Sequence, residues 1–211
     1  MQLSTLALLS LGAVAFNASA QSSDLPTQPQ PSFDFVQIGY VNYDVSNIIR
    51  DMDGLTLRSS YQLGTAFFAA FDYEDISGSG SFGSFRASGD SRQLFANVGY
   101  QFYQQRATSV YVAGGFARSE YKGGVRYPDR GWERFSLDGN GFNLMVGARH
   151  RFSEQFEIDM SLRHVDVTDD TDQIIDVNAR YFFNPRFSID ARYTRIDSNM
   201  SGVGFGASFH F

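Results

Sequence analysis

The 211-residue sequence has no cysteine, which excludes a disulfide scaffold, a thiolate metal site and a lipid-modified cysteine anchor. Beyond residue 20 it has no run near the ~20 apolar residues that a membrane-spanning helix needs, so a helical membrane protein is excluded too. Lysine is almost missing: Lys122 stands alone against sixteen arginines. Bases are outnumbered 17 to 23 by acids, and a net charge of -6 argues against a nucleic-acid partner, which normally meets a basic footprint. Proline is scarce, and three of the five, Pro26, Pro29 and Pro31, crowd into residues 21–32. What is plentiful is aromatic and small: 21 Phe, 11 Tyr and 20 Gly. The length fits one domain.

Residues 1–20 combine an apolar stretch from Leu6 to Phe16 with small residues at Ala18-Ser19-Ala20. That is the pattern of a cleaved export signal, with the mature chain beginning at Gln21. Residues 21–32, made of Pro, Gln, Ser and Thr with little else, have nothing with which to build a core and read as a leader. The remaining body spans 33–211.

That body alternates with period two, the mark of strands whose two faces meet different surroundings. Over 55–63 the apolar set is Leu55, Leu57, Tyr61 and Leu63, against Thr56, Arg58, Ser60 and Gln62. Over 156–163, Phe156, Ile158, Met160 and Leu162 alternate with Glu157, Asp159, Ser161 and Arg163. Similar runs occupy 175–183, 187–193 and 203–211, and less regular ones about 34–44, 66–74, 91–103, 108–119 and 139–152. Ten segments result, with eight as the alternative. Short connections near Gly64, 104–108, 153–155 and 184–185 alternate with longer polar ones at 45–53, 75–90, 119–138, 166–173 and 195–201. Tight turns at one end and long loops at the other predict an all-β, antiparallel, up-and-down transmembrane β-barrel.

The polar face favours a barrel over a soluble sandwich. It carries opposed charges, Arg58, Arg149, Glu157, Asp159, Arg163, Asp176, Arg180, Asp190 and Arg192, expected to pair inside a narrow lumen because an unpaired buried charge is costly. Tyr40, Tyr43, Tyr73, Tyr100, Phe102, Tyr103, Tyr181 and Phe183 lie near strand ends, as lipid-interface girdles would.

Few residues suggest chemistry. Ser208 and His210 share a face two residues apart, a superficial likeness to a serine–histidine hydrolase pair, but no orienting acid is identifiable. His150 reads as an interfacial anchor, and His164 sits near Asp166, Asp169, Asp170 and Asp172. Those four carboxylates are a weak candidate for a divalent cation, without the glycine and bidentate glutamate of an EF-hand loop; a solvated acidic loop is the default. Arg118, Lys122, Arg126, Arg130 and Arg134 recur every four residues, while Gly123, Gly124 and Pro128 forbid a continuous helix. In an extended chain all five project to one side and could meet lipopolysaccharide phosphates, which suit arginine forks. Residues 77–88, rich in Gly and Ser, read as a loop without fixed chemistry.

The ending GFGASFHF, with Gly206, Phe209 and Phe211 in register, resembles the C-terminal insertion signal of bacterial outer-membrane barrels. Residues 35–40, FVQIGY, resemble the first strand of small single-domain outer-membrane β-barrel proteins. The resemblance implies a Gram-negative outer membrane, insertion by the barrel-assembly machinery and contact with lipid and lipopolysaccharide. It implies no single activity, because the fold hosts adhesins, pores, structural proteins and lipid-modifying enzymes. Outer-membrane proteases place acid and histidine groups at the external rim, yet no aspartate pair on a second strand answers His164 here. The expectation is a monomeric, non-enzymatic barrel without a cofactor, in a structural or surface-contact role. A small-solute porin is the first alternative and a lipid-modifying enzyme or protease the second.

Overall fold

The structure, a computed structural model, describes residues 30–45, 51–168, 170–197 and 200–211. The expected export signal and residues 21–29 of the leader lie outside the described residues. Ten strands follow one another: β1 (Phe35–Val45), β2 (Asp51–Leu63), β3 (Phe67–Phe82), β4 (Phe85–Gln105), β5 (Thr108–Tyr127), β6 (Gly131–Arg151), β7 (Phe156–Val167), β8 (Asp170–Asn184), β9 (Phe187–Ile196) and β10 (Met200–His210). Each pairs antiparallel with its sequence neighbours, and β1 closes on β10 with Phe35 opposite His210 and Val45 opposite Met200. Closure leaves no open sheet edge around the ring.

The period-two pattern sets the faces. Val36, Ile38, Leu55, Leu57, Leu144, Leu162, Ile175, Val203 and Phe205 point outward and are exposed, while Gln37, Thr56, Asn143, Arg163, Asp176 and Ser208 are buried inside. On β2 the outward apolar stretch runs from Leu55 to Leu63, roughly 26 Å along the strand at ~3.3 Å per residue. Aromatic side chains crowd the end that holds the chain termini and the short turns, where Tyr61, Phe67, Tyr100, Phe156, Tyr181, Phe187, Phe209 and Phe211 are exposed. Tyr43 departs from the expected girdle. It points inward, is fully buried and donates its hydroxyl to Glu74 at 3.1 Å.

The connections at the opposite end differ from expectation. Residues 75–90 are no loop but the continuation of β3 and β4, paired from Asp75↔Arg92 to Phe82↔Phe85 around Gly83 (φ 59°). Residues 119–138 likewise extend β5 and β6, paired as far as Tyr127↔Gly131. The expected 166–173 loop shrinks because β7 runs to Val167 and β8 starts at Asp170. Glycine and serine carry no hydrophobic period, so a hairpin built from them is invisible to pattern reading although its backbone pairs normally.

The interior is layered. Toward the termini, Phe33, Phe68, Tyr111 and Ala113 form a buried cluster. Phe33 precedes β1, yet it enters the barrel and lies 4.5 Å from the Phe68 ring and 5.4 Å from Tyr111. Glycine makes this possible at two points: a Cβ on Gly99 would strike the Phe68 ring, and one on Gly147 would strike Tyr111. Toward the hairpin end, two apolar clusters, Phe95–Ala117–Val165–Val167–Ile174 and Val41–Tyr43–Met52–Ile76, both touch Ile196 and together span the bore. Charged residues occupy the layer between.

Candidate functional site

The charged layer is built from alternate positions of six strands, β2, β3 and β6 to β9. Nearest the termini, Arg149 on β6 reaches Asp159 with Nη2 at 2.5 Å and Nε at 3.1 Å, and Tyr111 donates to the same carboxylate at 2.9 Å. Arg149 also approaches Glu157 at 3.7 Å. Arg180 on β8 then joins Glu157 at 2.7 Å to Asp190 at 2.8 Å. Asp190 accepts further bonds from Asn178 at 3.1 Å and Ser208 at 2.6 Å. The guanidinium groups are also packed on rings, Arg149 over Phe33 at 4.3 Å and Arg180 over Phe35 at 4.7 Å.

A second group lies toward the hairpin end. Asp72 on β3 takes Arg58 at 3.1 Å from its neighbouring strand and Arg163 at 2.5 Å from β7, across the bore. Arg163 also lies 4.2 Å over the Phe95 ring. Arg192 on β9 pairs with Asp176 at 2.7 Å and reaches Glu74 at 3.9 Å on the far wall. Thr194 donates to Asp176 at 2.6 Å. The two cross-bore bridges divide the interior, and the voids around them are only about 20 and 10 Å³.

All nine charged residues singled out from the sequence therefore sit on the inner wall and in these pairs. Asp72 and Glu74, the β3 acids that complete both bridges, escaped sequence reading. The signal was present as Asp72 and Glu74 alternating with Phe71, Tyr73 and Asp75, but the third acid, on the outer face, obscured the period.

The candidates for chemistry disperse. Ser208 bonds Asp190 rather than His210, and His210 Nε2 instead meets Ser188 at 2.9 Å. His150 Nδ1 meets Thr108 at 2.7 Å beside the Phe152 ring, 4.4 Å away. His164 Nδ1 meets Gln173 at 2.5 Å, not a carboxylate or serine. The acidic cluster is split by the pleat. Asp172 stands opposite inward Val165, while Asp166 stands opposite Thr171 on the outer face; Asp169 lies outside the described residues. Among the described residues, Asp166 and Asp172 therefore do not share a face.

The basic residues of the extension are brought together on one face. Arg118, Lys122 and Arg126 lie on the outer face of β5, and Arg134, opposite Gly124, joins them from β6. Arg130 is in the turn and does not share the strand face. Arg86 on β4, opposite Arg126, adds a residue that sequence spacing missed. Lys122 contacts Glu120 at 2.7 Å and holds that carboxyl below its ordinary range. Arg92 is tied to Asp75 at 3.0 Å. Arg86, Arg118, Arg126 and Arg134 make no ion pair among the described residues.

Residues 6–183 match the family described as outer membrane protein beta-barrel domain. No curated protein matches the chain. Among solved structures, the translocator domain of the autotransporter NalP from Neisseria meningitidis is similar with a TM-score of 0.53 at 14% identity, over 86% of this chain and 90% of that one. The beta domain of the Bordetella autotransporter BrkA is similar at 0.51 and 8% identity, over 84% and 99%. OprG from Pseudomonas aeruginosa gives 0.48 at 12% identity, over 87% and 99%. Identities this low speak to fold and to nothing finer.

Proposed function

The chain belongs to the outer-membrane protein β-barrel family, and from that premise we propose that it is a sealed, non-enzymatic barrel that works through its outer surface. Residues 1–20 serve as the export signal, and the exposed apolar band faces lipid. Eight-stranded barrels are just filled by side chains, and ten strands leave only slightly more room. The observation that carries the reading is the pair of bridges across the bore, Arg163–Asp72 and Arg192–Glu74, beneath an apolar layer. An ion entering would have to desolvate at Phe95 and Ile174 and then displace charges already paired, a cost of several kcal/mol per ion.

The hairpin end faces outward from the cell in this reading, and its contact surface is the basic outer face of β4–β6. Arg86, Arg118, Arg126 and Arg134, unpaired among the described residues, match the phosphates of lipopolysaccharide by charge and by fork geometry. The protein acts as a monomer, with its C-terminal Phe209 and Phe211 read by the barrel-assembly machinery.

Planar-bilayer recording with the purified barrel tests the seal, and no unitary conductance is expected. Discrete steps would establish a small-solute porin instead. For the contact surface, the quadruple alanine variant of Arg86, Arg118, Arg126 and Arg134 should lose most of the thermal stabilisation that lipopolysaccharide gives over zwitterionic lipid. Equal stabilisation of both proteins would sink the assignment.

A further inference from the structure

Above the seal, at the hairpin end, lies a cavity of about 520 Å³. Its floor is Phe95, Val165 and Val167, part of the apolar layer that closes the bore, so it leads nowhere below. Its walls are the inner faces of β4, β5 and β6, where Tyr121 and Leu137 stand opposite each other in register. β7 pairs with β6 only from Gly141 onward, so the cavity opens beside the free edge of residues 131–140.

The inner face of this extension has no reason to be apolar if only water meets it. The extension, formed by four strands from β3 to β6, is wetted on both sides above the lipid, and its outer face is largely charged, with Arg118, Glu120, Lys122, Arg126 and Arg134 beside Trp132. Its inner face carries Tyr121, Phe135 and Leu137. Leu137 is 65% exposed and Phe135 50%, with the Phe135 ring 5.8 Å from Tyr121. Exposed apolar side chains gathered around a concave floor mark a binding site rather than a core.

The polar groups around it are few and placed on the walls: Ser91 and Gln93 on β4, Ser119 on β5 and Thr168 in the β7–β8 turn. The Gln93 side chain makes no hydrogen bond among the described residues. The flanking charges, Arg118 against Asp138 and Asp172, do not favour a strongly charged ligand. Lipid tails are kept out, because the barrel wall separates this inner face from the outer apolar band.

We propose that this cavity binds an uncharged small molecule from the external medium, with an apolar body of on the order of 15 to 20 non-hydrogen atoms and one hydrogen-bonding group. The body lies on Phe95, Val165 and Leu137, and the polar group meets Gln93 or Ser91. The site lies on the inner side of the extension and shares only Arg118 with the basic outer face, so replacing Arg86, Arg126 and Arg134 alone tests lipopolysaccharide contact apart from it.

The test uses the full mature chain in lipid nanodiscs titrated with 1-aminoanthracene, a neutral fluorescent probe of this class. Saturable binding of one probe per protein is expected above the linear partitioning seen with empty nanodiscs. Leu137→Arg should weaken it at least tenfold; the position is exposed, so folding is not at stake. Ser91→Trp should abolish it by filling the cavity, with heat-modifiable gel mobility confirming a folded barrel. Trp132→Ala, on the outer face, should leave it unchanged. Linear partitioning alone, or wild-type affinity in Ser91→Trp, would overturn the proposal, as would loss of binding in Trp132→Ala.

Discussion

Replacing Arg180 by methionine removes one guanidinium that serves two carboxylates. Arg180 is 2% exposed and Glu157 1%, so no water replaces the lost partner. The deleted contacts are the bonds to Glu157 at 2.7 Å and Asp190 at 2.8 Å and the packing on Phe35 at 4.7 Å. Charge-assisted bonds contribute about 1.5–3 kcal/mol each. Part of that is recovered, because Asp190 keeps Asn178 and Ser208, and Glu157 keeps Arg149 at the longer distance of 3.7 Å. Breaking a buried pair by removing one partner costs about 3–5 kcal/mol, and the residual partners place Arg180→Met near the lower end. Urea unfolding in lipid vesicles, followed by Trp132 emission, should show a midpoint lowered on the order of 1.5 M for a slope of about 2 kcal/mol per M. Adding Glu157→Gln should restore part of the loss, since the stranded charge is then gone. A loss under about 1 kcal/mol refutes the reasoning, as does a double-mutant cycle additive within about 0.5 kcal/mol, the range for uncoupled sites.

Three other perturbations probe different layers. Phe33→Ala empties the ring cluster at the terminal end and should cost about 3 kcal/mol in the same urea assay; a change under 1 kcal/mol would mean that Phe33 contributes no packing. Gly99→Ala drives a methyl into the Phe68 ring and should destabilise by about 1–3 kcal/mol. Adding Phe68→Leu should then recover stability, and no recovery would locate the damage elsewhere. Arg163→Ala and Arg192→Ala remove both cross-bore bridges, and Phe95→Ala with Ile174→Ala opens the apolar layer above them, so the quadruple variant should show discrete conductance in planar bilayers where the wild type is silent. Continued silence from a folded quadruple variant would show that these two layers are not the seal.

The period-two alternation of residues 156–163 and 175–183 determined by itself that these segments are strands, and which side chains turn inward. It reached the ring of ten strands and the nine interior charges because a strand's face depends only on its own residues. Long hairpins were hidden where Ser77, Gly78, Ser79 and Gly80 pair through backbone alone, with no hydrophobic signal to read. Arg163 and Asp72 are 91 positions apart, and no local pattern links them. Their meeting follows from the number, tilt and register of all ten strands, which set the bore's width and the height of each side chain. The same closure brings Phe33 under Phe68 and turns the inner side of β4–β6 into a concave wall. Face was a property of the sequence; partnership across the bore was decided only when the sheet closed on itself.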